Sequence, residues 1–176
     1  MSGGRAPAWD ACVREAARAL DAARAAGLTL GCAESCTGGL VAGALTAVAG
    51  SSDVMRGGVV SYAIAVKRAV LGVSAEVLDA PGVGAVSGEC ATQMAEGARR
   101  VLGCDVAVSV TGIAGPGGAE PGKPVGTVWM GLATPRGTRA ERFCFSGGRD
   151  EVRRAAVAAA LALLREGSVE AAGPAQ

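Results

Sequence analysis

Apolar positions recur along this chain in two alternating rhythms, one with the period of a helix and one with that of a buried strand. Residues 9 to 26 place Val13, Ala16, Ala17, Leu20 and Ala23 on one helical face, and Gly27 ends the run as a C-cap. Thr29 to Ala33 reads as a short buried strand, and the small-residue run Thr37 to Val48 as a helix capped by Thr37 or Ser35. Val54 to Tyr62 predicts a strand interrupted at Gly57-Gly58, then a short helix carrying Lys67 and stopping near Gly72. Ser74 to Leu78 predicts a helical turn, and Ser87 caps a longer helix running to Leu102. Asp105 to Thr111 is an apolar strand, followed by a Gly- and Pro-rich loop from Gly112 to Pro124. Val125 to Ala133 and Thr138 to Phe145 pair as a hairpin across Pro135-Arg136-Gly137. Asp150 opens an Ala-rich helix expected to end near Arg165, with residues 1–8 and 167–176 expected as disordered tails. Strands alternating with helices, plus one antiparallel pair, predict a single domain over 9–166. Its expected fold is α/β, a three-layer α/β/α sandwich with a mixed, mostly parallel sheet.

Composition narrows the possible functions. Of 176 residues, half are hydrophobic but only 3% are aromatic, so the core must be built of closely packed Ala, Val and Leu. A formal net charge of +1, with both signs interspersed, gives no basic stripe, and bases would find almost no aromatic surface to stack on. Direct nucleic-acid binding is therefore not expected. No apolar run is long enough to span a bilayer and residues 1–8 lack a signal-peptide h-region, so no membrane partner and a cytoplasmic location are expected. The six cysteines contain no C-x-x-C pair, and with no histidine the chain has no plausible metal shell; the expectation is buried, reduced thiols and no metal or other cofactor.

The candidate chemistry gathers at Ala33-Glu34-Ser35-Cys36-Thr37-Gly38-Gly39, where a strand gives way to a helix. A serine in such a turn has an exposed hydroxyl and free backbone N–H groups beside it. The absence of histidine rules out a Ser-His-Asp triad, so a nucleophilic Ser35 needs another base. Only two of the 17 basic residues are lysine, Lys67 and Lys123. Arginine stays protonated, whereas a desolvated lysine becomes a base. Lys67, set among Val66, Ala69, Val70 and Leu71, is either that base or a lysine snorkelling from an amphipathic helix. Cys36 competes with Ser35 as the nucleophile, since a thiol at a helix start can have a depressed pKa. Gly117 to Lys123 matches the opening of a P-loop, but Pro124 follows the lysine and a strand follows that, which excludes the motif. The loop is either a pocket wall or a plain surface connection. Arg149, where Phe145-Ser146-Gly147-Gly148 leads into the last helix, is suited to clamp a phosphate.

These pieces resemble the C-terminal-domain family of the competence/damage-inducible protein CinA, the nicotinamide-nucleotide amidohydrolases, in a standalone form. The resemblance spans about Leu28 to Leu164. It rests on the heptapeptide 33–39, Gly50-Ser51-Ser52, Gly57-Gly58-Val59-Val60-Ser61-Tyr62 with Lys67 to Val73, and Gly84-Ala85-Val86-Ser87. It continues with Val110 to Gly118 and with Lys123-Pro124-Val125-Gly126-Thr127-Val128. It implies hydrolysis of the carboxamide of nicotinamide mononucleotide to nicotinate mononucleotide and ammonia, in pyridine nucleotide salvage. In that light Ser35 is the nucleophile, Lys67 its base and Tyr62 a supporting hydroxyl in the same network.

Thr111, with the following loop through Gly112 and Gly115, would contact the nucleotide, and Arg149 its phosphate. Glu34, Thr37, Gly38 and Gly39 join the substrate-binding set, the N–H groups of Thr37 to Gly39 being candidates for stabilising an oxyanion. The expected partner is a small-molecule nucleotide, and a homodimer is expected because so small a domain often completes its pocket across an interface. Three positions depart from the family pattern. Ile64 stands where asparagine is common, Val83 where histidine is frequent, and Gly148 where aspartate is usual. The first and third would weaken polar support of Lys67 and Arg149, which leaves an alternative: a catalytically silent nucleotide- or partner-binding protein in competence or DNA-damage responses.

Overall fold

A computed structural model describes residues 6–173. Five strands form one sheet in the order β2-β1-β3-β4-β5. They are β1 (Leu30–Glu34), β2 (Met55–Val60), β3 (Val106–Gly112), β4 (Thr127–Thr134) and β5 (Gly137–Cys144). β1 pairs in parallel with β2 and β3, whereas β3–β4 and β4–β5 are antiparallel. Only β4 therefore runs against the other strands. The expected hairpin is β4–β5, with Thr134 opposite Gly137 across the turn at Pro135 and Arg136.

Helices cover both faces, as the alternating apolar pattern requires. The α1 helix (Trp9–Ala26), α2 (Leu40–Thr46) and α6 (Arg149–Ala172) pack on one face, where Leu20, Val41, Ala156, Val157 and Leu161 meet Val106, Val108 and Val110 of β3. The opposite face carries α3 (Ile64–Leu71), α4 (Ala75–Leu78) and α5 (Gly88–Leu102). There Leu71, Leu78, Cys90, Met94 and Ala98 pack on Ala33 and Ala107. Alternate residues of β3 thus serve two separate cores, the period-two consequence of the pleat.

Small residues let these layers approach closely. A Cβ at Gly97 in α5 would run into the backbone of Leu71 at the end of α3, and Arg100, one turn on, donates to the Leu71 carbonyl at 2.8 Å. The last helix differs from expectation. It continues through Gly167 to Ala172, and Gly167 and Ser168 are buried. A Cβ at Gly167 would sit 2.9 Å from Leu132 and 3.2 Å from Val106, so this glycine is a packing position and not a stop. Residues 167–172 are helix, a correction to the expected tail, whereas 1–5 and 174–176 lie outside the described residues.

Candidate active site

The turn after β1 is shaped by Glu34, which is 1% exposed. Its Oε2 accepts from the N–H groups of Gly39 and Val41, both at 3.0 Å, and its Oε1 from Ala42 at 2.8 Å. A carboxylate here fills the orphan donors at the start of α2 and meets the positive end of the helix. Neither Ser35 nor Thr37 caps this helix. Gly38 and Gly39 both adopt left-handed φ, +65° and +99°, which delays the start of α2 to Leu40. Gly38 closes the turn by donating to the Ser35 carbonyl at 3.1 Å, and Ser35 itself donates to Val110 on β3 at 2.9 Å. The nucleophile candidate is thereby fixed to the carboxyl end of the parallel strands, where α/β sheets present ligand sites.

Lys67 reaches this turn from the other side. It is 1% exposed, and its Nζ lies 2.9 Å from Ser35 Oγ, 2.6 Å from the Ser61 carbonyl and 3.4 Å from the Tyr62 carbonyl. Among the described residues no carboxylate pairs with it. Burial disfavours the ammonium and holds its pKa below the ordinary lysine range. In the neutral amine two N–H bonds satisfy the two carbonyls, and the lone pair is left facing the Ser35 hydroxyl. Lys67 does not snorkel. Its surroundings also bear on the departure at Ile64. That residue opens α3 half-exposed, while the polar partners of Lys67 are backbone carbonyls and the Ser35 hydroxyl, so the partner set needs no side chain at position 64.

The competing nucleophile is disfavoured. Cys36 is 6% exposed and faces the core shared by α1 and α6. Burial pushes its thiol up to about 11, which keeps it protonated near neutrality.

Tyr62 meets Lys67 through its main chain only. Its side chain is exposed, and its hydroxyl accepts from Arg149 Nη2 at 3.3 Å instead of joining the Ser35–Lys67 contact. Arg149 Nη1 donates to the Gly115 carbonyl at 2.9 Å, so Tyr62, Arg149 and the β3–β4 loop come together beside the turn. Gly115 has φ +81°, and a Cβ there would press on Val125 at 2.6 Å. Gly148 precedes α6 and donates its N–H to Glu151 Oε2 at 2.8 Å, so Glu151 anchors the start of α6.

Several expected contact residues are closed to a ligand. The Glu34 carboxylate is occupied by α2. Thr111 is 1% exposed and its hydroxyl donates to the Ala85 carbonyl at 2.6 Å, which ties down the loop before α5. Gly112 ends β3 packed against Thr127 and Val128. Thr37 is fully buried, and its Oγ1 has no hydrogen-bond partner among the described residues. Of the three N–H groups expected to face an oxyanion, Gly38 and Gly39 donate within the turn, which leaves Thr37.

Arg153 was not evident from the sequence. It lies half-buried one turn beyond Arg149, with Nε on the Cys36 carbonyl at 3.1 Å and Nη2 on the Thr37 carbonyl at 3.0 Å. The only signal was the i, i+4 spacing of two arginines at a helix start, which equally describes a solvated face. Lys123, the other lysine, ties the β3–β4 loop down by donating to the Val83 carbonyl at 2.6 Å.

An α/β domain with helices on both faces and a serine–lysine contact at its sheet end defines the class of molecule. Comparison with known proteins then gives the family. The CinA C-terminal domain model matches residues 14–167, and the chain belongs to that family. A CinA-like protein of Anaeromyxobacter sp. (strain K) is 55% identical over 144 residues, which is 82% of this chain and 34% of that protein. One from Myxococcus xanthus (strain DK1622) is 50% identical over 152 residues, 86% of this chain and 36% of the relative. The chain thus spans about a third of the length of these relatives. Among solved structures, competence damage-inducible protein A (ComA) from Klebsiella pneumoniae superposes with a TM-score of 0.83 at 41% identity, covering 88% of this chain and 95% of that one. The competence/damage inducible protein CihA from Agrobacterium tumefaciens gives 0.83 at 42% identity, with 92% and 96% covered. Among the described residues no helix is long and apolar enough to cross a membrane.

Proposed function

We propose that this chain is an amidohydrolase that releases ammonia from the carboxamide of nicotinamide mononucleotide, with Ser35 as nucleophile and Lys67 as base. The observation that carries the reading is the 2.9 Å contact between Lys67 Nζ and Ser35 Oγ, made by a buried lysine with no counter-ion among the described residues. Neutral Lys67 takes the Ser35 proton as Oγ bonds to the amide carbon, and the carbonyl oxygen becomes an oxyanion. Collapse breaks the C–N bond, and the Lys67 proton leaves on nitrogen as ammonia. Water, deprotonated by the regenerated amine, then cleaves the acyl-serine ester. The products are the carboxylate and free Ser35.

The nucleotide substrate follows from the family resemblance. The exposed Arg149–Tyr62 pair beside the turn supports it, since a guanidinium there suits a phosphate. The test is ammonia release from nicotinamide mononucleotide by purified protein. Wild type should turn over and Ser35→Ala should not; equal rates would end the reading.

A further inference from the structure

Trp129 on β4 stands opposite Arg142 in the β4–β5 pairing, so both side chains leave the same face of the sheet. That face is the one α5 covers, since two residues further on a Cβ at Gly131 would meet the Ala91 carbonyl of α5. A Cβ at Gly88, the first residue of α5, would lie 3.0 Å from the six-membered ring of Trp129, and the missing side chain leaves room for the indole. Two cavities adjoin this half-buried ring. One, of about 290 Å³, is bounded by Lys123 and Arg142. The other, of about 500 Å³, runs along α5 past Glu89, Thr92 and Glu96. Gly88, Glu89 and Trp129 line both, so the two meet at the indole, and their size is that of a small-molecule site. Neither is lined by Ser35, Lys67, Tyr62 or Arg149.

Charge divides this trough into two ends. Along α5, Glu89 and Glu96 are exposed carboxylates with no ion pair among the described residues. At the other end the Lys123 amine is already engaged by the Val83 carbonyl and the Glu120 carboxylate. Arg142 donates through Nη2 to the Gly122 carbonyl at 2.8 Å and meets no carboxylate among the described residues, so its charge is uncompensated there. An indole stacks on a flat ring, a carboxylate accepts from an amine, and a guanidinium takes a phosphate. We infer that this trough is a second ligand site, for a nucleoside monophosphate whose base carries an exocyclic amine. The base stacks on Trp129 with its amine toward Glu89, and the smaller cavity takes the ribose with its phosphate on Arg142. The reverse orientation would set the phosphate beside two carboxylates, which like charge opposes. The site is separate from the Ser35 reaction and does not rest on it.

The test is calorimetric titration of the purified protein with AMP, adenosine and ribose 5-phosphate. AMP should bind, and each of the other two, lacking one end of the contact set, should bind roughly tenfold or more weakly. Arg142→Ala, at an exposed position where folding is not at stake, should weaken AMP roughly tenfold or more and leave adenosine unchanged. Trp129→Leu should weaken AMP and adenosine alike. Glu89→Gln should narrow the preference for AMP over inosine monophosphate, whose base has a carbonyl in place of the amine. Arg149→Ala and Ser35→Ala should bind AMP as the wild type does, which keeps this site distinguishable from the one proposed for the amide substrate. No heat of AMP binding, or AMP held as tightly by Arg142→Ala as by wild type, would overturn the inference. So would loss of AMP binding in Arg149→Ala with Arg142→Ala unaffected, because the nucleotide would then lie beside the Ser35 turn.

Discussion

The two lysines make a useful pair. Each donates to a backbone carbonyl at 2.6 Å, Lys67 to Ser61 and Lys123 to Val83. Lys123 has Glu120 beside it at 3.2 Å, and its charge is settled by a carboxylate that is itself half in solvent. Lys67 has no such partner among the described residues, is 1% exposed and meets the Ser35 hydroxyl. The same residue type therefore serves as a tether in the β3–β4 loop and, on the proposed reading, as a base in α3. The presence or absence of a counter-ion separates the two roles.

The sharpest way to break this contrast is Lys67→Arg. Arginine keeps the charge and a donor but has no lone pair to offer at working pH, so turnover should fall by about 10³- to 10⁴-fold. Appreciable ammonia release by this variant would refute the base assignment.

The pH profile comes next. Activity should rise with pH through a midpoint below the ordinary lysine range, because the amine must be neutral to accept the proton. Stability should move in the same direction. Between the depressed folded pKa and the ordinary lysine value, the unfolded chain binds a proton that the folded chain lacks, so raising pH stabilises the fold across that window. Denaturant melts of Lys67→Met should lose this slope while the wild type keeps it.

A smaller effect is expected from Glu34→Gln. The amide cannot reproduce all three acceptor contacts to α2, and one N–H left facing an NH2 group should cost about 2 kcal/mol in denaturant melts. Labelling of Ser35 by a fluorophosphonate should slow as the turn loosens. Least of all should change in Lys123→Met. Its ion pair with a half-exposed Glu120 is worth within about 1 kcal/mol, and ammonia release should stay near the wild-type rate. A large loss there would blur the distinction between the lysines.

Much of this arrangement is legible in the sequence because it depends on local signals. The strand before Ser35, the short helix bearing Lys67 and the β4–β5 hairpin are each set by a few neighbouring residues, and each lies within a residue or two of its expected bounds. The missing histidine and the near absence of lysine drew attention to Lys67 before any contact was visible. What stayed hidden depends on residues that meet only in space. Glu34 caps a helix that starts six residues later, past two left-handed glycines, so an ordinary Ser or Thr cap seemed sufficient. Arg153 crosses from the last helix to the turn over a separation of more than 100 residues. Gly167 carries the composition of a helix stop, yet its missing Cβ makes room for Leu132 and Val106, and packing overrides the propensity. The family resemblance implies a ligand contact at Thr111, and only the fold reveals that Ala85 occupies its hydroxyl.

Gly97 has an influence well beyond its own position. It lies in α5, outside the Ser35 turn, yet with no side chain it lets the end of α3 settle directly onto α5, where Arg100 latches the Leu71 carbonyl. Lys67 lies one turn back along α3 from that seat. Gly97 therefore acts as the depth stop for the whole lever, setting how far the amine extends toward the serine. A single methyl group there would lift the lever and lengthen the proton's path. On the proposed reading, the serine–lysine geometry is thus gauged from a helix that contributes no reacting atom.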